Sequence, residues 1–434
     1  MGYIPIKIKF AIALIAALLW MGFSLMLAAA WIDGLAQLVG LFLANMIVWS
    51  IAIIPGFMNC FLVASLLLDK RPVRKELTSY PPLTILVAAY NEEDSILGTL
   101  TSIIENGYPG KIDILVIDDG SRDRTASIVE EFSRKHSNVS LIKLPHNRGK
   151  SHALNAGLQQ AKADLIVTID ADCYVFEKAI KHLVERLADD PEDTAAVAGA
   201  VHVRNSRVNW VTAIQEWDYF HGIAAIKRMQ SLFQGTLVAQ GAFSIYHKAA
   251  LFEMGGWAHT VGEDIVLTWA MLKRGYRIGY AEDAVLFTNA PKTLWGFIRQ
   301  RERWSRGMIE AFKNHWPLLF MPRMRTLFIW WNFMFPIMDV FYTVFFIPGL
   351  IAALFGYFWI AGPLTLLVLP FAMIVNMVMF LLSRNMFTQQ TLKVRHNLSG
   401  FFSYVFIYSL IVQPASLLGY FKEFFNLKKS WGTK

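Results

Sequence analysis

The sequence predicts a polytopic membrane protein in which an α/β domain with a Rossmann-like, doubly wound sheet lies between N- and C-terminal transmembrane helices. Three observations predict this architecture. Of the 434 residues, 55% are hydrophobic, too many for an ordinary soluble protein, while 17% are charged, more than spans alone would carry. Long uncharged runs lie near both ends. Between them, short β-branched runs alternate with amphipathic stretches, as in a doubly wound sheet.

The first region, residues 1–69, is predicted to hold two transmembrane helices. In order, the two spans are Phe10 to Ile32 and Leu35 to Leu68, divided at Asp33-Gly34. Lys9 precedes the first span and Lys70 follows the second, so the positive-inside rule places both flanks in the cytoplasm. The alternative for the first span is a cleaved signal peptide ending at Ala28-Ala29-Ala30, although the apolar run is longer than a usual signal sequence.

The second region, residues 70–290, is predicted to be a cytoplasmic domain. Four strands are predicted at Thr84 to Val87, Ile112 to Ile117, Val139 to Lys143 and Leu165 to Ile169. Polar residues follow the carboxyl ends of three of them, where open α/β sheets bind their ligands. Those residues are Tyr90-Asn91-Glu92, Asp118-Asp119 and Asp170-Ala171-Asp172.

The last two regions are predicted to be membrane-associated. Residues 291–334 have the Trp, Arg and Phe pattern of interfacial helices, and residues 335–434 are predicted to form a transmembrane bundle with a basic tail. The predicted spans are Phe335 to Ile360, Pro363 to Leu382 and Phe401 to Tyr420. Three spans would leave the basic tail outside, against the positive-inside rule. Either one segment is re-entrant or interfacial, with the last one, which contains Pro414, as the candidate, or the tail is an exception to the rule.

The net charge of +8 raises the question of a nucleic-acid partner. Many basic residues, however, lie at predicted membrane boundaries, such as Lys70 to Lys75, Arg323 to Arg325 and Lys422 to Lys429. Anionic lipid head groups explain that placement better than DNA or RNA. Membrane lipids are therefore a predicted partner, and nucleic acid is not.

Paired carboxylates form the first chemical motif. Asp170 and Asp172 are two residues apart at a strand end, so their side chains leave the same face and can bind one hard cation. We expect Mg²⁺ or Mn²⁺, bridged to phosphate oxygens. The alternative is a turn with two solvated carboxylates.

Two further motifs follow in the sequence. Glu263-Asp264 opens an amphipathic stretch, so helix capping is the alternative to catalysis. On a helix, Gln300, Arg303 and Trp304 share one face that could hold a pyrophosphate and a sugar ring. The alternative is an interfacial helix with snorkelling arginines, which is the behaviour expected of Arg299, Arg301 and Arg306.

The order of Asp119, Asp170-x-Asp172, Glu263-Asp264 and Gln300-x-x-Arg303-Trp304 resembles membrane-bound, processive family 2 glycosyltransferases. These are the cellulose, chitin, hyaluronan and poly-N-acetylglucosamine synthases, and the resemblance runs from about Leu83 to the C-terminal spans. It implies a GT-A type glycosyltransferase fold for the central domain.

The resemblance also implies a role for each candidate residue. Asp264 is the expected general base, next to Glu263, and Trp304 the expected platform for the acceptor sugar. The expected substrate-binding residues are Ala88, Tyr90, Asn91 and Glu92 in the first loop, Asp118 and Asp119 at uracil, Lys150 at the diphosphate, Asp170 at the metal, Gln240 and Gly241 below the acceptor, and Gln300, Arg303 and Trp304. The chain departs from the family pattern at Ala88, Gln240 and Gly262, where relatives often carry Thr or Cys, Ser or Cys, and Thr.

The function implied is an inverting, metal-dependent transferase of the bacterial inner membrane that polymerises a β-linked polysaccharide from a UDP-sugar and exports it through its own spans. UDP-N-acetylglucosamine is the expected donor, a growing polysaccharide the acceptor, and a small membrane subunit a possible partner. The alternatives are a hyaluronan- or cellulose-like synthase, a transferase of one sugar to polyprenyl phosphate, and, outside enzymes, a silent scaffold or transporter.

Overall fold

The computed structural model describes residues 4–71, 76–362, 365, 368–389, 391–392 and 396–427. Its helices are, in chain order, α1 (Ile6–Val39), α2 (Leu41–Leu67), α3 (Ile96–Ile104), α4 (Thr125–Lys135), α5 (Lys150–Gln160), α6 (Ala179–Asp189), α7 (Trp210–Trp217), α8 (Ile226–Leu232), α9 (Lys248–Glu253), α10 (Glu263–Arg274), α11 (Leu294–His315), α12 (Thr326–Leu354), α13 (Val368–Gln389) and α14 (Leu398–Phe424). A π-helical segment, Asp218–Ala225, joins α7 to α8 without a break, and a 3₁₀ turn, Trp316–Phe320, follows α11.

Four of these helices, α1, α2, α12 and α14, are long and apolar enough to cross a membrane. The two predicted N-terminal spans are thus confirmed as helices, but the predicted division at Asp33-Gly34 is wrong. Helix α1 continues through both residues and ends before Gly40, whose φ of +83° is a conformation that favours glycine.

The C-terminal helices differ from the predicted spans in two respects. The first span begins at Thr326 rather than at Phe335, so α12 includes part of the region expected to be interfacial. The stretch that falls short of a membrane's thickness is Pro370–Arg384, in α13, and not the last segment. Pro414 lies inside α14 without ending it. Pro363, Lys428, Lys429 and Lys434 lie outside the described residues.

The central domain is built on one eight-stranded sheet in the order β3-β2-β1-β4-β7-β6-β8-β5. The strands are β1 (Leu83–Ala89), β2 (Ile112–Asp118), β3 (Val139–Lys143), β4 (Leu165–Ile169), β5 (Tyr174–Val175), β6 (Thr194–Val203), β7 (Phe243–His247) and β8 (Arg277–Thr288). Strands β1 to β4 are the four predicted ones, and they pair in parallel. The other four were not predicted, and β7 runs antiparallel between β4 and β6.

Both faces of the sheet are buried, which explains the nearly continuous apolar run of β1. Leu83, Ile85 and Val87 face one core, and Leu86 faces the other. That second core also contains Phe61 of α2 and Phe328 of α12. The ends of two membrane helices therefore pack into the same apolar core as the sheet, which fixes the domain to the membrane region.

Candidate active site

The loop after β1 is tied to the loop after β2. Asn91 has a φ of +55°, its N–H donates to the Ser121 hydroxyl at 3.0 Å, and its side-chain oxygen accepts from the Arg122 N–H at 2.9 Å. The Glu92 N–H donates to the Thr125 hydroxyl at 2.7 Å. Ala88 is partly exposed and Tyr90 exposed at this edge. The structure thus uses Asn91 and Glu92 to join the two loops and leaves Tyr90 accessible.

Asp118 and Asp119, at the end of β2, are both buried. Asp118 accepts a hydrogen bond from the Ser121 N–H at 3.2 Å. Asp119 accepts from the N–H groups of Arg148 at 3.1 Å and Gly149 at 2.8 Å, and burial raises its pKa. These bonds fix the loop that precedes α5. The Asp119 Oδ1, which among the described residues accepts only from the Arg148 N–H, keeps a lone pair with which it could accept from a nucleoside.

Lys150 lies between two acidic residues, Asp170 and Glu263. Its ammonium group forms an ion pair with Asp170 and lies 4.0 Å from a Glu263 oxygen. Burial opposes the charge of Lys150, but Asp170 and Glu263 outweigh it and raise the pKa of the lysine. A Cβ added to Gly241 would lie 2.8 Å from the Lys150 nitrogen, so a larger residue there would displace the lysine.

Asp170 and Asp172 have the properties of a divalent-cation site. Partial burial, together with the charge of Asp170, raises the pKa of Asp172 to about 6. A divalent cation would relieve the repulsion between the two carboxylates. Among the described residues no group of three or more His, Cys, Asp or Glu forms a complete metal cage. The set fits Mg²⁺ or Mn²⁺ held by one or two carboxylates and completed by substrate phosphates and water.

Glu263 and Asp264 occupy the first turn of α10. One Asp264 oxygen accepts from the Ile265 N–H at 2.7 Å, and the other lies 3.4 Å from the Gly241 nitrogen. Glu263 is buried, and its burial and the adjacent Asp264 raise its pKa. The helix start is held by Glu310 of α11, which accepts from the Gly262 N–H at 2.9 Å.

Gly262 is where α10 crosses α11. A Cβ added to Gly262 would lie 2.5 Å from the Gly307 Cα, and one added to Gly307 would lie 2.7 Å from the Gly262 Cα. The two backbones therefore approach too closely for threonine at position 262. This packing is the physical reason for the departure from the family pattern there.

Gln240, also a departure from the pattern, turns its side chain into the sheet. Its side-chain amide nitrogen donates to the Gly199 carbonyl at 2.5 Å, and its backbone carbonyl accepts from the Ser244 hydroxyl at 2.8 Å. Gln240 therefore shapes the loop through the backbone, whereas the neighbouring Gly241 contacts Lys150 and Asp264.

Helix α11 carries Gln300, Arg303 and Trp304. The side-chain oxygen of Gln300 and the Nε of Arg303 are buried without a hydrogen-bond partner among the described residues, as expected of groups that bind a ligand. The charge of Arg303 acts on Glu263 and opposes the rise of its pKa. Trp304 remains 38% exposed, with its ring 6.3 Å from that of Tyr219.

The expectation that Arg301 and Arg306 snorkel at a membrane surface is wrong. Arg301 is buried and pairs with Asp218 at 2.6 Å, and Arg306 is buried and lies 3.3 Å from Glu423 of α14. Sequence reasoning missed both acidic partners because each is far away in the chain. An apolar helix end carrying a lone acidic residue, such as Glu423, is the signal that could have indicated one of them.

A cavity of about 370 Å³ also escaped the sequence analysis. It begins beside Arg148, next to the turn that Asp119 holds. The Ser151 hydroxyl, the His152 Nδ1 and the Trp257 indole N–H are buried there, and in the part of the chain that the structure describes they have no hydrogen-bond partner. Its volume is within the range of small-molecule sites. Its lining residues are Arg148, Ser151, His152, Asn155, Trp257 and His259.

Comparison with known proteins defines the class. The Glycosyl transferase family 2 model matches residues 84–255, from β1 to the loop after α9. A mannosyltransferase from Pyrobaculum calidifontis, solved in complex with GDP-Man and Mn²⁺, superimposes with a TM-score of 0.60 at 22% identity, covering 86% of this chain and 96% of that one. Residues 84–255 therefore match a family 2 glycosyltransferase domain, and the chain has a GT-A-like fold.

The chain is also similar to enzymes named poly-beta-1,6-N-acetyl-D-glucosamine synthase. The protein of that name from Staphylococcus aureus (strain MSSA476) is 35% identical over 226 residues, 52% of this chain and 54% of the relative. The one from Staphylococcus epidermidis is 33% identical over 249 residues, 57% and 60% of the two chains. This chain thus spans little more than half the length of the curated relatives it matches.

Proposed function

We propose that this protein is an inverting, metal-dependent glycosyltransferase that builds a β-linked polysaccharide from a UDP-sugar, with UDP-N-acetylglucosamine as the donor. The observation that carries the proposal is the meeting of donor-binding and base residues around Lys150, whose nitrogen contacts Asp170 and lies 4.0 Å from Glu263, next to Asp264. The similarity to the staphylococcal synthases supports the choice of sugar.

In this proposal Asp119 and the cavity beside Arg148 receive the nucleoside of the donor. Lys150, Gln300 and Arg303 face the diphosphate, and their charges and donors stabilise it as it leaves. Asp170 and Asp172 would hold the divalent cation, which supplies further charge neutralisation to the diphosphate. The unpartnered atoms of Gln300 and Arg303 support this assignment.

Asp264 is the proposed base. Its carboxylate takes the proton of an acceptor hydroxyl as the hydroxyl oxygen bonds to the anomeric carbon of the donor. The bond from that carbon to the diphosphate oxygen breaks, UDP leaves, and the anomeric centre is inverted. Only one carboxylate base is needed because the donor already carries its leaving group, unlike glycoside hydrolysis, which needs two.

We also propose that the domain faces the cytoplasm and that the membrane helices carry the product outward. Among the described residues, two candidate spans precede the domain and two follow it. With Lys9 and Lys422 at the outer ends of these pairs, the positive-inside rule supports a cytoplasmic domain.

The test is to incubate membranes that contain the protein with a panel of UDP-sugars, and with GDP-mannose as a comparison donor, and to size the products. We expect a polymer from UDP-N-acetylglucosamine that is absent with Asp264→Asn. Release of one sugar onto a lipid, with no polymer, would instead establish the polyprenyl phosphate transferase.

A further inference from the structure

A buried cluster connects the glycosyltransferase domain, α11 and the last membrane helix. Its centre is Arg301 of α11, whose Nη2 lies 2.6 Å from an Asp218 oxygen. The other Asp218 oxygen accepts a hydrogen bond from the Tyr408 hydroxyl of α14 at 2.6 Å. Arg301 and Asp218 are 5% and 3% exposed. One carboxylate thus holds a residue from each of two other elements.

The guanidinium of Arg301 also stacks on aromatic rings. Its Cζ lies 4.1 Å from the ring centre of Trp304 and 4.9 Å from that of Phe297. These positions are three residues after and four before Arg301, so all three side chains share a face of the helix. A planar guanidinium over an indole at this distance is an attractive contact that restricts the ring.

A π-helical segment sets the direction of the Asp218 side chain. Asp218 begins this segment, Asp218–Ala225, and insertions of this kind are frequent at functional sites. A Cβ at Gly222 would lie 2.7 Å from the Asp218 oxygen that Tyr408 contacts, so a glycine at that position leaves room for the carboxylate. The segment also supplies Tyr219, which contacts the Trp304 ring from another side.

We propose that Arg301 is a positioning residue for Trp304, held by Asp218 and Tyr408 so that the acceptor-facing indole keeps a fixed place relative to the last membrane helix. The inference rests on the proposed function, because it assigns Trp304 to the acceptor. A consequence is that the cluster holds the end of the growing chain at a fixed position relative to α14. Elongation therefore depends on the cluster, whereas donor cleavage does not.

Burial of an ion pair alone does not account for this arrangement. Desolvation offsets much of the attraction in a buried pair, and apolar residues of similar volume often stabilise as well. What a guanidinium provides here is a flat group that can pair with Asp218 and cover Trp304 at once, which an ammonium cannot do. The same helix offers a comparison in Arg299, which stacks on Trp295 at 5.3 Å with both side chains exposed.

The experiment compares Arg301→Lys and Tyr408→Phe with Arg299→Lys in the full-length protein in membranes. Arg301→Lys keeps the charge and loses the stacking, Tyr408→Phe keeps the ring and loses the hydrogen bond, and Arg299→Lys makes the same change outside the cluster. Product length, sugar incorporation and UDP release are measured on one preparation, together with UDP binding. We expect incorporation per UDP released to fall about tenfold for Arg301→Lys, the size of a lost cation–π contact.

Tyr408→Phe should also shorten the product. UDP binding should be unchanged in both cluster variants, and Arg299→Lys should behave like the wild type. Products of wild-type length from both cluster variants would overturn the inference. An equal loss of folded protein and of UDP release, with an unchanged ratio of sugar incorporated to UDP released, would also overturn the inference, because that pattern indicates a structural role. An effect of Arg301→Lys alone would overturn the link to α14. A wild-type protein that makes no polymer would overturn the proposed function and this inference together, whereas the earlier outcomes leave the proposed function intact.

Discussion

Charged residues are concentrated in two regions. The donor pocket is the proposed donor site around Lys150, with Asp170, Asp172, Glu263 and Asp264, and the junction is the contact of α11 with the π-helical segment and α14. The two regions differ in how their charges are paired. In the donor pocket, acidic groups lie side by side, and the pKa values of Asp172 and Glu263 are raised by burial and by a neighbouring carboxylate. At the junction, Arg301 meets Asp218, and Arg306 meets Glu423, each pair nearly free of solvent. In the pocket, Lys150 compensates the charge of Asp170 and further acidic charge remains for a ligand, whereas at the junction each buried charge is paired within the protein.

This difference separates two kinds of outcome. Removing a carboxylate from the pocket should abolish chemistry while the fold stays intact, since repulsion is relieved. Removing a carboxylate from the junction should destabilise the fold, since a buried cation is left alone. The predictions below test that separation, beginning with the largest expected effect.

Asp172→Asn should nearly abolish sugar transfer while the protein still inserts and folds. The substitution removes a proposed cation ligand together with a partly buried negative charge next to Asp170, so the melting temperature without metal should not fall. Transfer assays with added Mg²⁺ or Mn²⁺ and thermal unfolding in detergent measure both. Asp164→Asn, an exposed residue just before β4, is the matched control. Full wild-type activity in excess chelator would contradict the metal requirement.

Asp264→Asn should lower turnover by about 10²- to 10⁴-fold, the usual contribution of a positioned base. UDP binding, measured by calorimetry, should survive, because Asp119, Lys150 and the metal site remain. A base acts in the transition state, so its loss affects the rate and not ground-state binding. If binding and turnover fell by similar factors, Asp264 would be a nucleotide ligand or a structural residue.

Glu423→Gln should destabilise the protein by about 3–5 kcal/mol, because it leaves Arg306 buried without its charge partner. Glu423 also accepts from Lys313 at 3.0 Å, so one substitution affects two contacts. The control is Glu302→Gln, which breaks the more exposed pair with Lys422 at 2.7 Å between the same two helices and should cost at most about 1 kcal/mol. Equal melting temperatures for the two variants would mean that the junction is not held by its buried charges.

The same contrast explains how far the sequence could be interpreted. Strands β1 to β4 and the acidic groups at their ends were predictable, because buried parallel strands are continuous apolar runs and ligands gather at their carboxyl ends. Strand β8 was not, since Glu282 and Asp283 interrupt it. The pairing of Asp218 with Arg301 and the contact of Gly262 with Gly307 depend on distant elements meeting, which no local pattern encodes.

The smallest expected effect separates a polymerase from an enzyme that transfers one sugar. Trp304→Ala should remove about 1–3 kcal/mol of stacking on the acceptor, by analogy with bases stacked on aromatic side chains. Trp304 borders the junction: the Arg301 guanidinium covers one side of its ring, and 38% of the residue stays exposed. Elongation should therefore suffer more than donor hydrolysis, and products should shorten or vanish.

If Trp304 were only a membrane anchor, its loss would instead reduce insertion or folding and leave product length unchanged in the protein that remains. Measuring product length and UDP release on the same preparation distinguishes these outcomes. Trp295→Ala is the control, because Trp295 is an exposed indole of the same helix, stacked with Arg299. Equal product lengths for Trp304→Ala and wild type, with activity intact, would end the assignment of Trp304 to the acceptor.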